Sequence, residues 1–86
     1  MPRMSQTCTN LMMARNRLEQ LVAKMPGNRI DEKVNNAYRY RKIDYDTLQM
    51  FTAIRKAGNQ AAHGGELCSL AQSRRFLDYL KYKRTI

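Results

Sequence analysis

Ile43-Asp44-Tyr45-Asp46-Thr47-Leu48-Gln49-Met50-Phe51-Thr52-Ala53-Ile54-Arg55-Lys56-Ala57-Gly58-Asn59-Gln60-Ala61-Ala62-His63-Gly64-Gly65 is the stretch that decides the fold. Leu48, Met50, Phe51, Ile54, Ala57, Gly58, Ala61 and Ala62 recur at the three- and four-residue steps of an α-helix and cover a broad apolar arc. Asp44 or Asp46 can cap its start, because a short carboxylate accepts the unpaired N–H groups of a first turn. Gly64-Gly65 is a stop of the left-handed type. The small residues Gly58, Ala61 and Ala62 permit a neighbouring backbone to come close.

The same period extends in both directions from this helix. Residues 5–25 place Cys8, Leu11, Leu18, Leu21, Val22 and Met25 on one stripe, ended by Pro26-Gly27, with Arg15 on its edge. Residues 30–42 set Ile30, Val34, Ala37 and Tyr38 on one face and Arg39, Arg41 and Lys42 in the last turn, where cations suit the helix dipole. Residues 66–84 set Leu67, Leu70, Leu77 and Leu80 inward with Phe76 on the flank, and Cys68, Arg75, Tyr79 and Tyr82 roughly opposite. No strand pattern, internal repeat or linker interrupts the chain, so residues 1–86 read as a single domain. Short connections favour antiparallel neighbours, and the predicted fold is all-α, an up-down four-helix bundle.

Eighty-six residues make one small core and leave no room for a two-domain enzyme. Sixteen Lys and Arg against seven Asp and Glu give a formal net charge of +9, a field that attracts polyanions. Nucleic acid therefore heads the expected partners, RNA favoured, and an acidic protein surface is the alternative. No apolar run reaches the roughly 20 residues that span a bilayer, and Met1-Pro2-Arg3-Met4-Ser5-Gln6 lacks the apolar stretch of a signal peptide, so no membrane is expected as a partner and the expected location is cytoplasmic. Cys8 and Cys68 lack metal or redox spacing, and His63 is the one histidine, so neither a metal nor another cofactor is expected. Cys8 and Cys68 read as small helix residues in a reducing compartment, with one bridge between the first and last helices geometrically open.

Arg55, Asn59 and His63 follow one another at steps of four, so each is displaced by about 40° from the last along one helical ridge. A cation, an amide and an imidazole suit a phosphodiester: Arg55 to hold the phosphate, Asn59 to orient it, His63 to exchange protons near neutral pH. The structural alternative is that Arg55 pairs with an acid, Asn59 bonds a neighbouring helix and His63 satisfies frayed carbonyls beside Gly64. Arg75, Tyr79 and Tyr82 interleave aromatics with a cation, a pattern for base stacking, for a partner helix, or for tyrosines covered by lysine stems.

The run from Ile54 to Gly64, with Ala14-Arg15-Asn16-Arg17-Leu18-Glu19-Gln20-Leu21 before it and the connector Lys42-Ile43-Asp44-Tyr45-Asp46, resembles the HEPN-like domain of unknown function found at the N-terminus of type I restriction-enzyme motor subunits and in stand-alone bacterial and phage proteins. The resemblance covers most of the chain. It implies an all-α bundle that often pairs into a homodimer, with the polar motif near the groove between protomers. It also implies a place in a defence or mobile-element system, since related HEPN proteins are ribonucleases of such systems. Their nuclease motif is an arginine, usually a polar residue after it, then four to six residues and a histidine. His63 matches that histidine and Asn59 resembles the polar residue, while Gly58 stands at the arginine position and Arg55 lies three residues further back.

The expectation is thus a small HEPN-like nucleic-acid-associated protein with Arg55, Asn59 and His63 at its polar centre and Arg15 alongside. If it cleaves, the reaction is metal-independent transesterification of RNA, with His63 as acid–base and Arg55 as phosphate clamp. The alternative is a non-catalytic interaction module, a regulator or inhibitor docking on a larger protein partner through the Arg75, Tyr79 and Tyr82 face or the Arg55 ridge.

Overall fold

A computed structural model describes residues 5–64 and 69–86, and over them the chain forms four helices and no strand: α1 (Gln6–Leu21), α2 (Ile30–Arg39), α3 (Tyr45–Ala62) and α4 (Leu70–Lys81). Three of the four starts are closed by a side chain. Ser5 Oγ accepts the Cys8 N–H at 3.0 Å, Asp44 Oδ1 the Thr47 N–H at 2.8 Å, and Ser69 Oγ the Gln72 N–H at 3.2 Å. Of the two aspartates that could cap α3, Asp44 is the one that does so. The start of α2 has no such cap and instead carries Asp31 and Glu32 in its first turn, where acids complement the dipole.

Three helices end earlier than their periodicity suggests, α4 by closing at Lys81 with Tyr82 as its cap. After Leu21 the Ala23 and Met25 N–H groups bond carbonyls three residues back, at 3.4 and 3.0 Å, so the backbone leaves the α-helix while Val22 and Met25 stay buried. The end of α2 is a left-handed turn: the Lys42 N–H reaches the Ala37 carbonyl at 2.8 Å and the Arg41 N–H that of Tyr38 at 3.0 Å, with Arg41 at φ 59°. That is the bond pattern of a Schellman motif with arginine where glycine is usual.

The core joins Leu11, Leu18 and Leu21 of α1 to Val34 of α2, Phe51 and Ile54 of α3 and Leu80 of α4, all fully buried. Central to the bundle is α1, which packs against both α3 and α4, while α2 packs on α3. It holds that place because it carries the longest buried stripe, from Thr7 to Leu21. The expected antiparallel hairpin is formed by α2 and α3, whose near ends bring Tyr38 to Tyr45. In contrast, α1 and α4 run in the same direction: Asn10 meets Ser73, Arg17 reaches the Lys83 carbonyl, and the Ile86 N–H bonds the Leu21 carbonyl.

The inward face of α4 is Ser73, Phe76 and Leu80, with Leu70 and Leu77 half-buried. Phe76 therefore belongs to the core and not to the flank; the helix is turned so that Ser73 can accept from the buried Asn10 amide at 3.2 Å and donate to the Leu70 carbonyl at 2.7 Å. Leu67, Cys68, Gly65 and Glu66, which the periodicity placed at the start of this helix and at the preceding stop, lie outside the described residues. Tyr38 differs too: expected on the core face of α2, it is 41% exposed and turned to Tyr45. Ala62 also lies exposed beyond the packed part of α3.

Candidate functional site

The polar residues of α3 are set by how closely α1 crosses it. A Cβ built on Gly58 would stand 2.5 Å from the Arg15 Cβ, 3.0 Å from the Leu11 carbonyl oxygen and 3.1 Å from the Arg15 Cδ. The missing side chain of Gly58 is thus the seat of the Arg15 stem. Seated there, the guanidinium gives one arm to Glu19 at 3.1 Å, while its Nε is buried without a hydrogen-bond partner. A buried donor left unpaired carries a desolvation cost of about 1–3 kcal/mol, which marks this arginine as held by packing more than by polar bonds.

Beside this crossing opens a cleft of about 990 Å³. One wall is α1 with Arg15 and Glu19, another is α3 with Arg55 and Asn59, and the third is the α1–α2 connection and the first turn of α2 with Arg29, Asp31 and Lys33. Four cations face two carboxylates across it. Arg29 is occupied by Asp31, through Nε at 3.2 Å and Nη2 at 2.9 Å, and the Asp31 carboxyl is held below its usual range first by that bond, with the positive charge of Arg55 adding to it. Arg55, half-buried, is in no ion pair among the described residues. Lys33 is in none either, so two of the four cations of the cleft keep their charge for something else.

The structure therefore gathers Arg15, Arg55 and Asn59, three of the residues singled out from the sequence, into one cleft. His63 is not among its lining residues. It is the exposed C-terminal cap of α3, its N–H bonded to the Gln60 carbonyl at 3.0 Å, next to Gly64 at φ 84°. A drift of about 40° at each step of four accumulates to about 80° between Arg55 and His63, so the far end of the ridge turns away from α1.

The α4 residues are separate from this cleft. Tyr79 is half-buried, its ring edge-on to Phe51 at 6.3 Å between centroids, with the Lys83 ammonium 4.6 Å over its face. That is the lysine-covered arrangement. Arg75 is exposed, and Tyr82, the C-terminal cap of α4, is 83% exposed. Cys8 is buried in α1 and Cys68 lies outside the described residues. Among the described residues no three His, Cys, Asp or Glu side chains group as a metal site would need, and no helix is long and apolar enough to cross a membrane.

The sequence reading missed the third wall, because Arg29, Asp31 and Lys33 sit at a helix start whose position against Arg55 is a tertiary matter. It also passed over the corner between α2 and α3, where Tyr38, Tyr40 and Tyr45 are all exposed. The alternation Tyr38-Arg39-Tyr40-Arg41-Lys42 was a signal for it. No protein-family model, curated protein or solved structure matches this chain.

Proposed function

We propose that the protein is a small basic HEPN-like nucleic-acid-binding bundle, acting in the cytoplasm within a bacterial or phage defence or mobile-element system, with RNA as its favoured ligand. The observation that carries the reading is the cleft in which Arg15, Arg55 and Asn59 converge with cations in excess and Arg55 in no ion pair among the described residues. A phosphodiester fits that chemistry: Arg55 offers a planar fork of donors, Asn59 a neutral donor and acceptor one turn on, and the chain's net charge of +9 steers a polyanion toward them. Binding asks only for these residues. Cleavage asks further that His63, from the exposed end of α3, reach the phosphodiester that Arg55 holds; the ribose 2′-oxygen then attacks phosphorus, the 5′-oxygen leaves with a proton, and a 2′,3′-cyclic phosphate remains.

The test is fluorescence anisotropy of a labelled RNA across a salt series, followed by incubation of a mixed RNA pool in EDTA. Arg55→Gln is expected to weaken binding at every sequence and to lower the salt slope by about one. Cutting by the wild type and not by His63→Ala would add the ribonuclease step; cutting by neither leaves a binding protein. RNA affinity no better than that of a scrambled basic helix, with one protein captured stoichiometrically, would overturn the reading in favour of a docking module.

A further inference from the structure

We propose that the corner between α2 and α3, with the C-terminal tail laid against it, is a stacking platform for single-stranded nucleic acid, a site separate from the Arg55 cleft. The proposal rests on the nucleic-acid reading above and names the form of strand that is bound.

The left-handed turn at Arg41 reverses the chain so sharply that the last turn of α2 faces the first turn of α3. Tyr38 and Tyr45 meet there edge to face, 6.1 Å between centroids at 64°. Each ring steadies the other, yet Tyr38 is 41% and Tyr45 57% exposed, and Tyr40 beside them is 60% exposed. Three of the five tyrosines, Tyr38, Tyr40 and Tyr45, are thus exposed at or next to this turn.

Around them lies positive charge from two separate segments, the end of α2 with its turn and the C-terminal tail. A hollow of about 470 Å³ is lined by Tyr38, Arg39, Arg41 and Lys42. A second, of about 300 Å³, shares Lys42, Ile43 and Asp44 with it and adds Lys83 and Arg84 from the tail. The tail is fixed in place by the Ile86 N–H on the Leu21 carbonyl at 2.9 Å and by Arg17 Nη2 on the Lys83 carbonyl at 3.0 Å. The one acid lining either hollow, Asp44, is already engaged as the cap of α3. Arg41 holds a left-handed backbone conformation, φ 59°, that glycine adopts more readily than arginine.

Charge complementarity selects a polyanion, and the tyrosines select its kind. Bases stack on aromatic faces only when they are free of a duplex, whereas a phosphate-only or duplex ligand would use the cations and leave the rings idle. Residues of both types within one corner match an unpaired strand, with phosphates on Arg41, Lys42 and Arg84 and bases on Tyr38 and Tyr45.

The chain has five tyrosines and no tryptophan, so its intrinsic fluorescence reports stacking directly. Titration with a short oligouridine is expected to quench it, and titration with inorganic polyphosphate is not. By anisotropy, Tyr38→Leu with Tyr45→Leu should weaken oligouridine binding by about tenfold. Arg41→Gly should weaken it severalfold without lowering the melting temperature, which keeps the test valid if the tyrosine variant does not fold. Equal affinity for oligouridine, a matched duplex and polyphosphate would overturn the platform, as would wild-type affinity in the Arg41 and tyrosine variants. If those variants bind normally while Arg55→Gln does not, the cleft stands and the platform falls; if wild type prefers an acidic peptide to any strand, both fall.

Discussion

Arg15 of α1 lies across Gly58 of α3 at a separation that no other residue at position 58 can share, since a Cβ there would be 2.5 Å from the Arg15 Cβ. The contact does two things at once. It sets the distance between the two helices that carry most of the core, and it aims the Arg15 guanidinium at the cleft that Arg55 and Asn59 also line.

Gly58→Ala is therefore expected to destabilise the fold by about 1–3 kcal/mol, because forced separation of packed helices outweighs the ~1 kcal/mol that alanine gains as a helix former. Arg15→Ala should not rescue it, since the clashing Cβ remains, whereas Arg15→Gly should recover part of the loss. A urea-unfolding double-mutant cycle checks this; equal rescue by both would place the clash elsewhere.

Asn10 and Ser73 tie α1 to α4 through a buried amide-to-hydroxyl bond of 3.2 Å. The side-chain oxygen Oδ1 of Asn10 in turn accepts from Gln6 Nε2 at 2.8 Å. Ser73→Ala leaves the amide without its partner and should cost about 1–3 kcal/mol. Replacing both by apolar residues, Asn10→Leu with Ser73→Ala, should be milder than the sum of the single changes, as chemical denaturation will show.

Leu18→Ala and Ile54→Ala each empty a fully buried site and are expected to cost about 2–5 kcal/mol. His63→Ala, at an exposed helix end, should stay within about 0.5 kcal/mol. Thermal melts followed by circular dichroism separate the two groups; comparable losses in all three would make His63 a structural residue and remove it from any cleavage scheme.

Acid should loosen the α2 and α3 starts. The Thr47 hydrogen bonds hold the Asp44 carboxyl below its usual range, and the Arg29 hydrogen bond does the same for Asp31. A depressed folded pKa gives stability that is present above the unfolded value, near 3.9, and is lost as pH falls through the folded one. Unfolding midpoints should hence be level above about pH 5 and decline below about pH 4, with a shallower decline in Asp44→Asn. An unchanged decline in that variant would assign the acid sensitivity to other carboxylates.

Much of this was readable from residue spacing. The four helices, a cap at Asp44 or Asp46, the stop after Ala62 and the buried stripe of Leu11, Leu18 and Leu21 follow from local propensity and period. Ser73 and Tyr38 did not. A serine in the core is recognisable only with Asn10 opposite it, and a tyrosine at the end of an apolar stripe is exposed only because the chain reverses just beyond it. The site divides in the same way: Arg55 and Asn59 share a ridge by arithmetic, but their association with Arg15, and the separation of His63 from them, depend on where α1 crosses.

An all-helical chain of strong positive charge was already legible in the order of residues, because helix period, capping and charge are properties of neighbours along the chain. Tertiary packing set the rest: α1 lies between α3 and α4, Arg15 sits on Gly58, and the C-terminal tail meets the connection between α2 and α3 at Lys42, Ile43 and Asp44. Those relations arise from close packing between segments far apart in sequence, where one absent Cβ or one buried hydrogen bond fixes an orientation that periodicity leaves free.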